Sequence, residues 1–469
     1  MVGRSFGSLM ATRALFLSFL GLCLTAVSSH AESLWPEFRG PTAQGFSTAK
    51  GLPTEWAPDK NIVWRSEVAG KGWSSPVVAN GKIFITTAVE LPVDPAAAEV
   101  KPEPAPPPAA VAPKADGSRR PAPAKKAPPP PPKPVSLHVI ALDAATGKAL
   151  WDTPVFEAKD PAALKMHPKN SQASPSVIYE AGRLYAHFSH HGTTCLDEAG
   201  KIVWTSQENP YPPQHGTGGS PVLVDDLLIF DADGSKDPGV VALDKATGKT
   251  RWKIARPETE AKSKFSFCTP LVIEVAGQKQ VISAGSGIVQ ALNPKDGSEI
   301  WHVMYGTGYS VVPRPVFAHG MIFMSTGYDK PIGLAIKVDG KGDVTNTHVV
   351  WQETKYVPHN PSMLVIGDEL YMLADNGLFT CRDAKTNTVH FEERLLGPSS
   401  ASLLYADGLI YAIDEKGASA VVKPGKTLQV VAKSELNEKT LASMAVCDND
   451  LLIRTELAVY RVGKKSGAE

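Results

Sequence analysis

Short apolar runs separated by turn residues recur along most of the chain. Each unit has a Pro-led apolar run, a turn with Gly or Asp, two further runs, and a hairpin that closes on Trp. β-Branched and aromatic residues alternate through these runs, and stretches with helical periodicity are nearly absent. We therefore expect four short strands per unit. The strands predicted for the first unit are Ser75 to Val78, Ile83 to Thr87, Val139 to Leu142 and Ala149 to Trp151.

The tryptophans give the period of the repeat. ALDAATGKALW, ALDKATGKTRW and ALNPKDGSEIW align without gaps and end at Trp151, Trp252 and Trp301. Successive gaps from Trp151 to Trp351, through Trp204, are 53, 48, 49 and 50 residues, and the gap after Trp64 falls from 87 to 43 once residues 91–134 are removed. A fixed period of this size indicates stacked units that cannot bury their faces alone.

The turn before each closing Trp has its own chemistry. An Asp side chain accepts backbone N–H bonds there, and a Gly supplies positive φ. The positions concerned are Asp143, Asp244, Asp383, Gly147, Gly248 and Gly297. The closing Trp then offers a large flat surface to the neighbouring unit.

Eight units can be counted. They open near Ser75, Ser174, Ser220, Thr269, Arg314, Asn360, Ser402 and Ser443. The last has three strands, whereas Asn61 to Trp64 is an outer strand with no unit before it, so pairing the two would leave no open edge. The predicted fold is all-β: an eight-bladed β-propeller of four-stranded antiparallel blades, closed by the N-terminal strand completing the last blade.

Two segments stand apart from the repeat. Residues 1–31 carry Arg4 and Arg13, an apolar run and Ser29-His30-Ala31, which is typical of a secretory signal peptide. A lipoprotein would acylate Cys23, but Leu22 stands where a small residue is needed. Residues 91–134 contain sixteen prolines and are expected to be a disordered or extended Pro/Ala-rich insert within blade one. The remaining chain, within 32–469, is predicted to be one propeller domain.

The net charge of the chain limits the classes of partner that it can bind. Lys and Arg total 48, as do Asp and Glu. The signal carries +2 and residues 91–134 carry +3, from seven basic and four acidic side chains, so the remainder carries −5. That balance argues against nucleic acid as a partner. No later segment is apolar enough to span a membrane, and we expect an exported, periplasmic or secreted monomer.

The repeat A-x-D-x-x-T-G-x-x-x-W resembles that of pyrroloquinoline-quinone (PQQ)-type propellers. Trp35 to Pro41, His167 to Ser171 and Leu451 to Tyr460 are similar to segments of exported quinoprotein-like propellers. Dehydrogenases of that family add a calcium ion held by carboxylate and amide groups, a base Asp and a pair of adjacent cysteines. This chain has no adjacent Cys pair and no compact cluster of Asp, Glu and Asn assignable to calcium. Binding of PQQ with calcium is therefore disfavoured. We expect no metal site and assign no cofactor.

The remaining histidine, glycine and cysteine motifs do not indicate a metal site, a phosphate-binding loop or a disulfide. His190 and His191 are adjacent, and in a strand their rings would point to opposite faces, which makes a poor chelate. Gly216 to Gly219 precedes no predicted helix and is interpreted as the tight start of blade three. The mature cysteines, Cys195, Cys268, Cys381 and Cys447, fall on blades two, four, six and eight, too far apart for disulfides.

One candidate site remains. Outer-to-inner connections of a propeller lie on one face and surround the axial channel, and here they carry His, Asn and aromatic residues. The candidate ligand-binding mouth consists of Trp73, His167, Asn170, His215, Tyr309, His359 and Asn360. Such a ring suits a polar ligand with flat surfaces, a sugar or a peptide. The alternative is that these side chains cap strand ends and bridge channel waters, which for any single residue is the favoured interpretation.

Three functions follow. The first is a non-catalytic propeller that binds or scaffolds partners in the periplasm or at the cell surface, and this is the hypothesis that we favour. The second is a quinone-dependent dehydrogenase or another enzyme that uses the channel mouth. The third is a cell-envelope assembly factor similar to the propeller lipoprotein of the outer-membrane barrel machinery.

Overall fold

Eight antiparallel four-stranded sheets follow one another along the chain in the order that the Trp period predicts. The computed structural model describes residues 34–92 and 132–464. The predicted signal peptide and almost all of the Pro-rich insert lie outside the described residues. Within each sheet the strand nearest the axis comes first in sequence and the outermost strand last, except in the eighth blade. The prediction of an all-β, eight-bladed propeller is confirmed.

The strands are short next to the axis and longer outside. The inner strands are β3 (Val77–Ala79), β7 (Ile178–Glu180), β11 (Val222–Val224), β15 (Leu271–Val275), β19 (Val316–Ala318), β24 (Leu364–Ile366), β28 (Leu404–Ala406) and β32 (Ala445–Cys447). The second strands are β4 (Lys82–Glu90), β8 (Arg183–His187), β12 (Leu227–Asp231), β16 (Gln278–Gly285), β20 (Met321–Ser325), β25 (Glu369–Leu373), β29 (Leu409–Ile413) and β33 (Asp450–Arg454).

The outer half of each blade carries the repeat signature. The third strands are β5 (Val135–Asp143), β9 (Thr193–Asp197), β13 (Gly239–Asp244), β17 (Ile288–Leu292), β21 (Gly333–Lys337), β26 (Leu378–Asp383), β30 (Ala418–Lys423) and β34 (Ala458–Val462). The outermost strands are β6 (Ala149–Ala158), β10 (Ile202–Ser206), β14 (Thr250–Ala255), β18 (Glu299–Met304), β23 (Val349–Glu353), β27 (Val389–Arg394), β31 (Gln429–Glu435) and, for blade eight, β2 (Ile62–Glu67). Two short parallel additions complete the set, β1 (Phe46–Ser47) on β28 and β22 (Gly342–Asp343) on β18.

Closure occurs where the sequence predicts it. β2 pairs antiparallel with β34, with Ile62 opposite Val462 and Trp64 opposite Arg461. The eighth sheet therefore takes its outer strand from the N-terminal side and its other three from the C-terminal side. The two ends of the chain are held in one sheet, which leaves no blade with a missing strand.

The repeat motif works by docking one blade on the next. Trp64 of blade eight donates its Nε1–H to the carbonyl of Ala144 in the turn of blade one, at 3.0 Å. Gly147 in that turn has φ +72°, and a Cβ there would lie 2.7 Å from the Trp64 ring. The glycine is thus required both for its backbone conformation and for the space it leaves. The same bond recurs for Trp151, Trp204, Trp252 and Trp351.

A ring of hydroxyl groups links the blade starts. The backbone N–H of each participating start donates to a side-chain hydroxyl of the next blade. The bonds are Ser75 to Ser176, Ser176 to Ser220, Ser220 to Thr269, Arg314 to Ser362, Ser362 to Ser402 and Ser402 to Ser443, at 2.9–3.0 Å. In blades two and six the hydroxyl residue, Ser176 or Ser362, stands two residues after the start given by the sequence. With that shift a small hydroxyl residue occupies this position in seven blades, and Arg314 occupies it in the fifth.

Arg314 has a different partner, the axial segment of residues 34–47. Its guanidinium, 1% exposed, donates to Glu37 at 2.9 Å and to the Phe38 carbonyl at 2.8 Å. The same segment accepts N–H bonds from Tyr179 in blade two and Tyr405 in blade seven. The axial segment therefore ties inner strands on different sides of the channel together, a role that the sequence pattern did not predict.

The four mature cysteines are expected to titrate as free thiols that react only after unfolding. All four are buried and unpaired, on or beside strands of blades two, four, six and eight. Burial raises the pKa of Cys195 and Cys381 to about 11 and that of Cys447 to about 12, so little nucleophilic thiolate forms at neutral pH. For a chain that lacks residues 1–31 and hence Cys23, thiol counting in denaturant should return four with and without prior reduction. A gain of two thiols on reduction would contradict the blade assignment.

Candidate functional site

The connections from each outer strand to the next inner strand open on one face of the propeller, here called the mouth face. The turns between second and third strands open on the same face, because strand direction alternates within a blade. The connections comprise residues 68–76, 159–177, 207–221, 256–270, 305–315, 354–363, 395–403 and 436–444. Any site built from these segments can draw side chains from every blade.

Six aromatic rings form a continuous curve across this face, here called the aromatic arc. Its members are His167, His215, Phe265, Tyr309, Tyr328 and His359. Consecutive ring centroids are 6.1, 5.2, 5.6, 5.8 and 6.0 Å apart, mostly edge to face. The arc runs from the connection that precedes blade two to the one that precedes blade six.

The arc is anchored at its centre and exposed at its ends. Phe265 is 6% exposed, and its carbonyl accepts N–H from Ser310. Tyr309 and Tyr328 form an isolated β-bridge, which places two tyrosine rings side by side. Tyr328 is 59% exposed, the highest value among the large hydrophobic residues described. Burial, with a smaller effect of His167, lowers the pKa of His215 and so favours its neutral ring.

The two predicted asparagines, Asn170 and Asn360, form hydrogen bonds within the protein. Asn170 donates to the His215 carbonyl at 2.9 Å, and its own oxygen accepts from the Ser174 hydroxyl at 2.6 Å. Asn360 donates to Asp375, which also accepts from His359. Asn170 therefore holds the backbone of His215 directly, whereas Asn360 and His359 share Asp375 as their partner.

Trp73 lies apart from the arc. It is 6% exposed, its backbone N–H donates to Ala173, and the Lys439 ammonium sits 5.6 Å from its ring. The structure thus gathers His167, His215, Tyr309 and His359 into one surface and buries Trp73 elsewhere on the same face. Phe265 and Tyr328 complete the surface but were missed. Tyr328 follows the second strand of its blade, β20, and was not predicted because only residues on outer-to-inner connections were considered.

Across the mouth, a charged cleft faces the arc. Lys169, which immediately precedes Asn170, reaches Glu415 of blade seven at 2.7 Å, although Lys169 and Glu415 are 246 positions apart. A cleft of about 480 Å³ lies beside this ion pair and is lined by Pro398, Glu415, Lys416, Glu435, Asn437 and Lys439. The mouth therefore combines an aromatic side with a side of mixed charge.

A buried ionic cluster lies near the middle of the arc. Arg256 donates to Asp233 at 2.7 Å and lies 3.3 Å from Asp231, and all three side chains are at most 2% exposed. Burial raises the pKa of Asp231 to about 7, even though Arg256 acts in the opposite direction. Burial therefore makes Asp231 hold its proton to a higher pH than an ordinary carboxyl group does.

The prediction that His190 and His191 lie in a strand, with their rings on opposite faces, was wrong. They lie in a single 3-10 turn, Ser189–His191, and their ring centroids are 3.9 Å apart. The alternation of a strand requires extended backbone, but Ser189 has φ +52° and breaks it. Burial lowers the pKa of His190 to about 4 and that of His191 to about 3, so both rings are neutral at pH 7.

The donor set does not fit a calcium–quinone centre. Among residues 34–92 and 132–464, no three His, Cys, Asp or Glu side chains converge in a way that could hold a metal ion. Calcium requires six to eight oxygen ligands. The described cysteines stand on separate blades.

No helix in the described part of the chain is long and apolar enough to cross a membrane.

Comparison with protein families gives a match over the central blades. The PQQ_2 family, described as "Outer membrane protein assembly factor BamB", matches residues 136–372. Outer membrane protein assembly factor BamB of Shewanella oneidensis is 24% identical over 279 residues, which cover 48% of this chain and 69% of that protein.

Quinone enzymes are also similar to this chain. Methanol dehydrogenase (cytochrome c) subunit 1 of Methylobacterium organophilum is 25% identical over 152 residues, 29% of this chain. The chain matches only 24% of that enzyme's length. The crystal structure of quinohemoprotein alcohol dehydrogenase from Comamonas testosteroni superposes with a TM-score of 0.61 at 12% identity, covering 93% of this chain and 82% of that one. At such identity the likeness concerns the fold alone.

Proposed function

The chain belongs to the PQQ_2 family, described as outer membrane protein assembly factor BamB, and from that premise we propose that it is a non-catalytic binding or scaffold propeller. We place it in the cell envelope, exported by the segment 1–31, with its mouth face as the binding surface. The expected ligand is a protein, or a polar molecule with flat surfaces such as a sugar.

The aromatic arc is the observation that carries this proposal. Aromatic side chains supply large contact areas at low entropic cost, and tyrosine adds a polar tip, so both are enriched at protein interfaces. Tyr328 and Tyr309 offer such a surface on a rigid β-bridge rather than on a loose loop. The mixed charge around Lys169 and Glu415 supplies a polar rim across the mouth.

A role in outer-membrane protein assembly is the finer form of the proposal. The family match and the Shewanella relative favour it, since both carry that description. The quinone-enzyme alternative has support from the fold but not from the donor set, because the described residues do not bring calcium ligands together.

Replacing both Tyr309 and Tyr328 by Ser should abolish partner capture without unfolding the protein. The purified full-length protein is cross-linked to native envelope extract, and captured proteins are identified by mass spectrometry. Val430 and Val431 on β31 are 41% and 50% exposed, so their replacement by Ser removes comparable apolar surface away from the arc and serves as the control. We expect the wild type and this control to capture one shared set that the tyrosine variant loses.

An identical captured set for all three proteins would contradict the mouth as the binding surface. Addition of PQQ and Ca²⁺ to the purified protein tests the enzymatic alternative. A bound-quinone absorbance together with alcohol-dependent dye reduction would overturn the non-catalytic assignment.

A further inference from the structure

A narrow cleft opens between blades two, three and four, beside the centre of the aromatic arc. The lining residues that bear on its chemistry are Tyr211, Gly218, Asp231, Asp233, Phe267 and Cys268. The Phe267 ring stands 5.6 Å from that of Phe265, which places the cleft wall directly against the arc. The whole cleft leaves about 10 Å³ for the centre of a water-sized group, roughly the space of one such group.

The charges at the base of the cleft do not balance. Asp231 and Asp233 carry two negative charges when ionised, and Arg256 supplies one positive charge. The other titratable groups that act on these carboxyls are Tyr211, Tyr305 and Cys268. Burial raises the pKa of all three, so they stay neutral and leave one negative charge without compensation.

That excess charge has a definite place. Asp233 is held by Arg256 at 2.7 and 3.0 Å, and Oδ1 of Asp231 accepts from Ser283 at 2.5 Å. Oδ2 of Asp231 is buried and has no hydrogen-bond partner. A buried carboxylate oxygen without a partner is costly, and a donor that also carries positive charge satisfies it best.

The size of the cleft and the aromatic side chains that line it limit which cations it can bind. A single group the size of water, such as an ammonium nitrogen, fits the cleft, whereas a planar guanidinium or a quaternary ammonium is larger than the space available. Tyr211 and Phe267 line the way to Asp231, and aromatic faces attract cations. Gly218 is close-packed, since a Cβ there would lie 2.2 Å from the Phe267 ring, so this wall cannot move inward.

We propose that this cleft binds a primary ammonium group, which donates to the unpartnered oxygen of Asp231. The group can come from a small amine or from a lysine side chain of a bound partner. This inference adds a ligand chemistry to the mouth but does not depend on the proposed function, because a free amine can occupy the cleft without any partner.

Methylammonium chloride at pH 8.5 should raise the Tm of the full-length protein by about 2 °C relative to the same concentration of tetramethylammonium chloride. At that pH Asp231 is ionised and methylammonium still carries its charge. Below pH 6 a proton occupies the carboxyl, and the difference between the two salts should vanish. A lysine-containing tripeptide compared with its norleucine analogue distinguishes the side-chain source from the small amine.

Asp231→Asn should remove the methylammonium effect, and Asp237→Asn should retain it. Asp237 is exposed in the same turn between second and third strands, which makes it a matched control. If Asp231→Asn does not fold, the pH dependence and the two-salt comparison on the wild type still decide the matter. Equal Tm values in both salts at pH 8.5, or a rise with KCl as large as that with methylammonium, would overturn the ammonium assignment.

Discussion

A chain without residues 34–67 will not fold as a monomer. The deletion removes β2, which pairs with β34 from Ile62 to Glu67, and leaves the eighth blade with three strands and an open edge. It also removes the axial segment, so that Arg314 loses Glu37 and the Phe38 carbonyl as partners. Domains are stable by only about 5–15 kcal/mol, and the loss of a whole strand and a buried ion pair together is expected to exceed that.

Size-exclusion chromatography and thermal unfolding measure the outcome, and the chain supplies a control of similar length. Replacing residues 93–131 by a short Gly-Ser linker removes a similar number of residues, but between two positions that the structure already holds together. Leu91 donates to the Pro134 carbonyl at 2.9 Å, and Glu90 lies opposite Val135 in the ladder. We expect this variant to stay within about 1 kcal/mol of the wild type. A monodisperse 34–67 deletion with unchanged Tm would refute closure.

The fold could be predicted because its contacts repeat. Five of the six repeat tryptophans donate to the turn of the next blade in the same way, so one recurring motif specifies both the period and the neighbouring blade. Trp301 is the exception, because its indole donates to Gln280 of its own blade. Strand ends were less predictable. β4 and β5 extend to Glu90 and Val135, well beyond the expected runs, because pairing between long neighbours continues outside the apolar core.

The site was only partly predictable, for geometric reasons. His167, His215, Tyr309 and His359 were found because they lie on connections that a propeller must place at the mouth. Trp73 lies on such a connection too, yet it is buried, since a sequence position does not reveal the direction of a side chain. The axial segment and the pairing of Arg256 with the two aspartates join residues by contacts that occur once, and no periodicity reports them.

Arg256→Met is expected to destabilise the protein by about 3–5 kcal/mol at pH 8, because it leaves two buried carboxylates without their cation. Arg251→Met, on the preceding strand, serves as control. Arg251 is half exposed in its ion pairs with Asp226 and Asp244, so its loss should change the free energy of unfolding little. Urea unfolding of both variants at several pH values gives the free energies.

The dependence on pH identifies the cause of the Arg256→Met effect. Burial raises the folded-state pKa of Asp231 and Asp233 above their ordinary value of 3.8, and removing Arg256 takes away the charge that opposes this rise. Between pH 4 and the raised pKa the folded state holds protons that the unfolded state has lost, so stability falls as the pH rises through this window. The variant should therefore approach the wild type near pH 5 and fall furthest behind at pH 8. Adding Asp231→Asn and Asp233→Asn should restore much of the loss at pH 8, whereas a deficit that is the same at pH 5 and pH 8 would show that Arg256 acts through packing rather than charge.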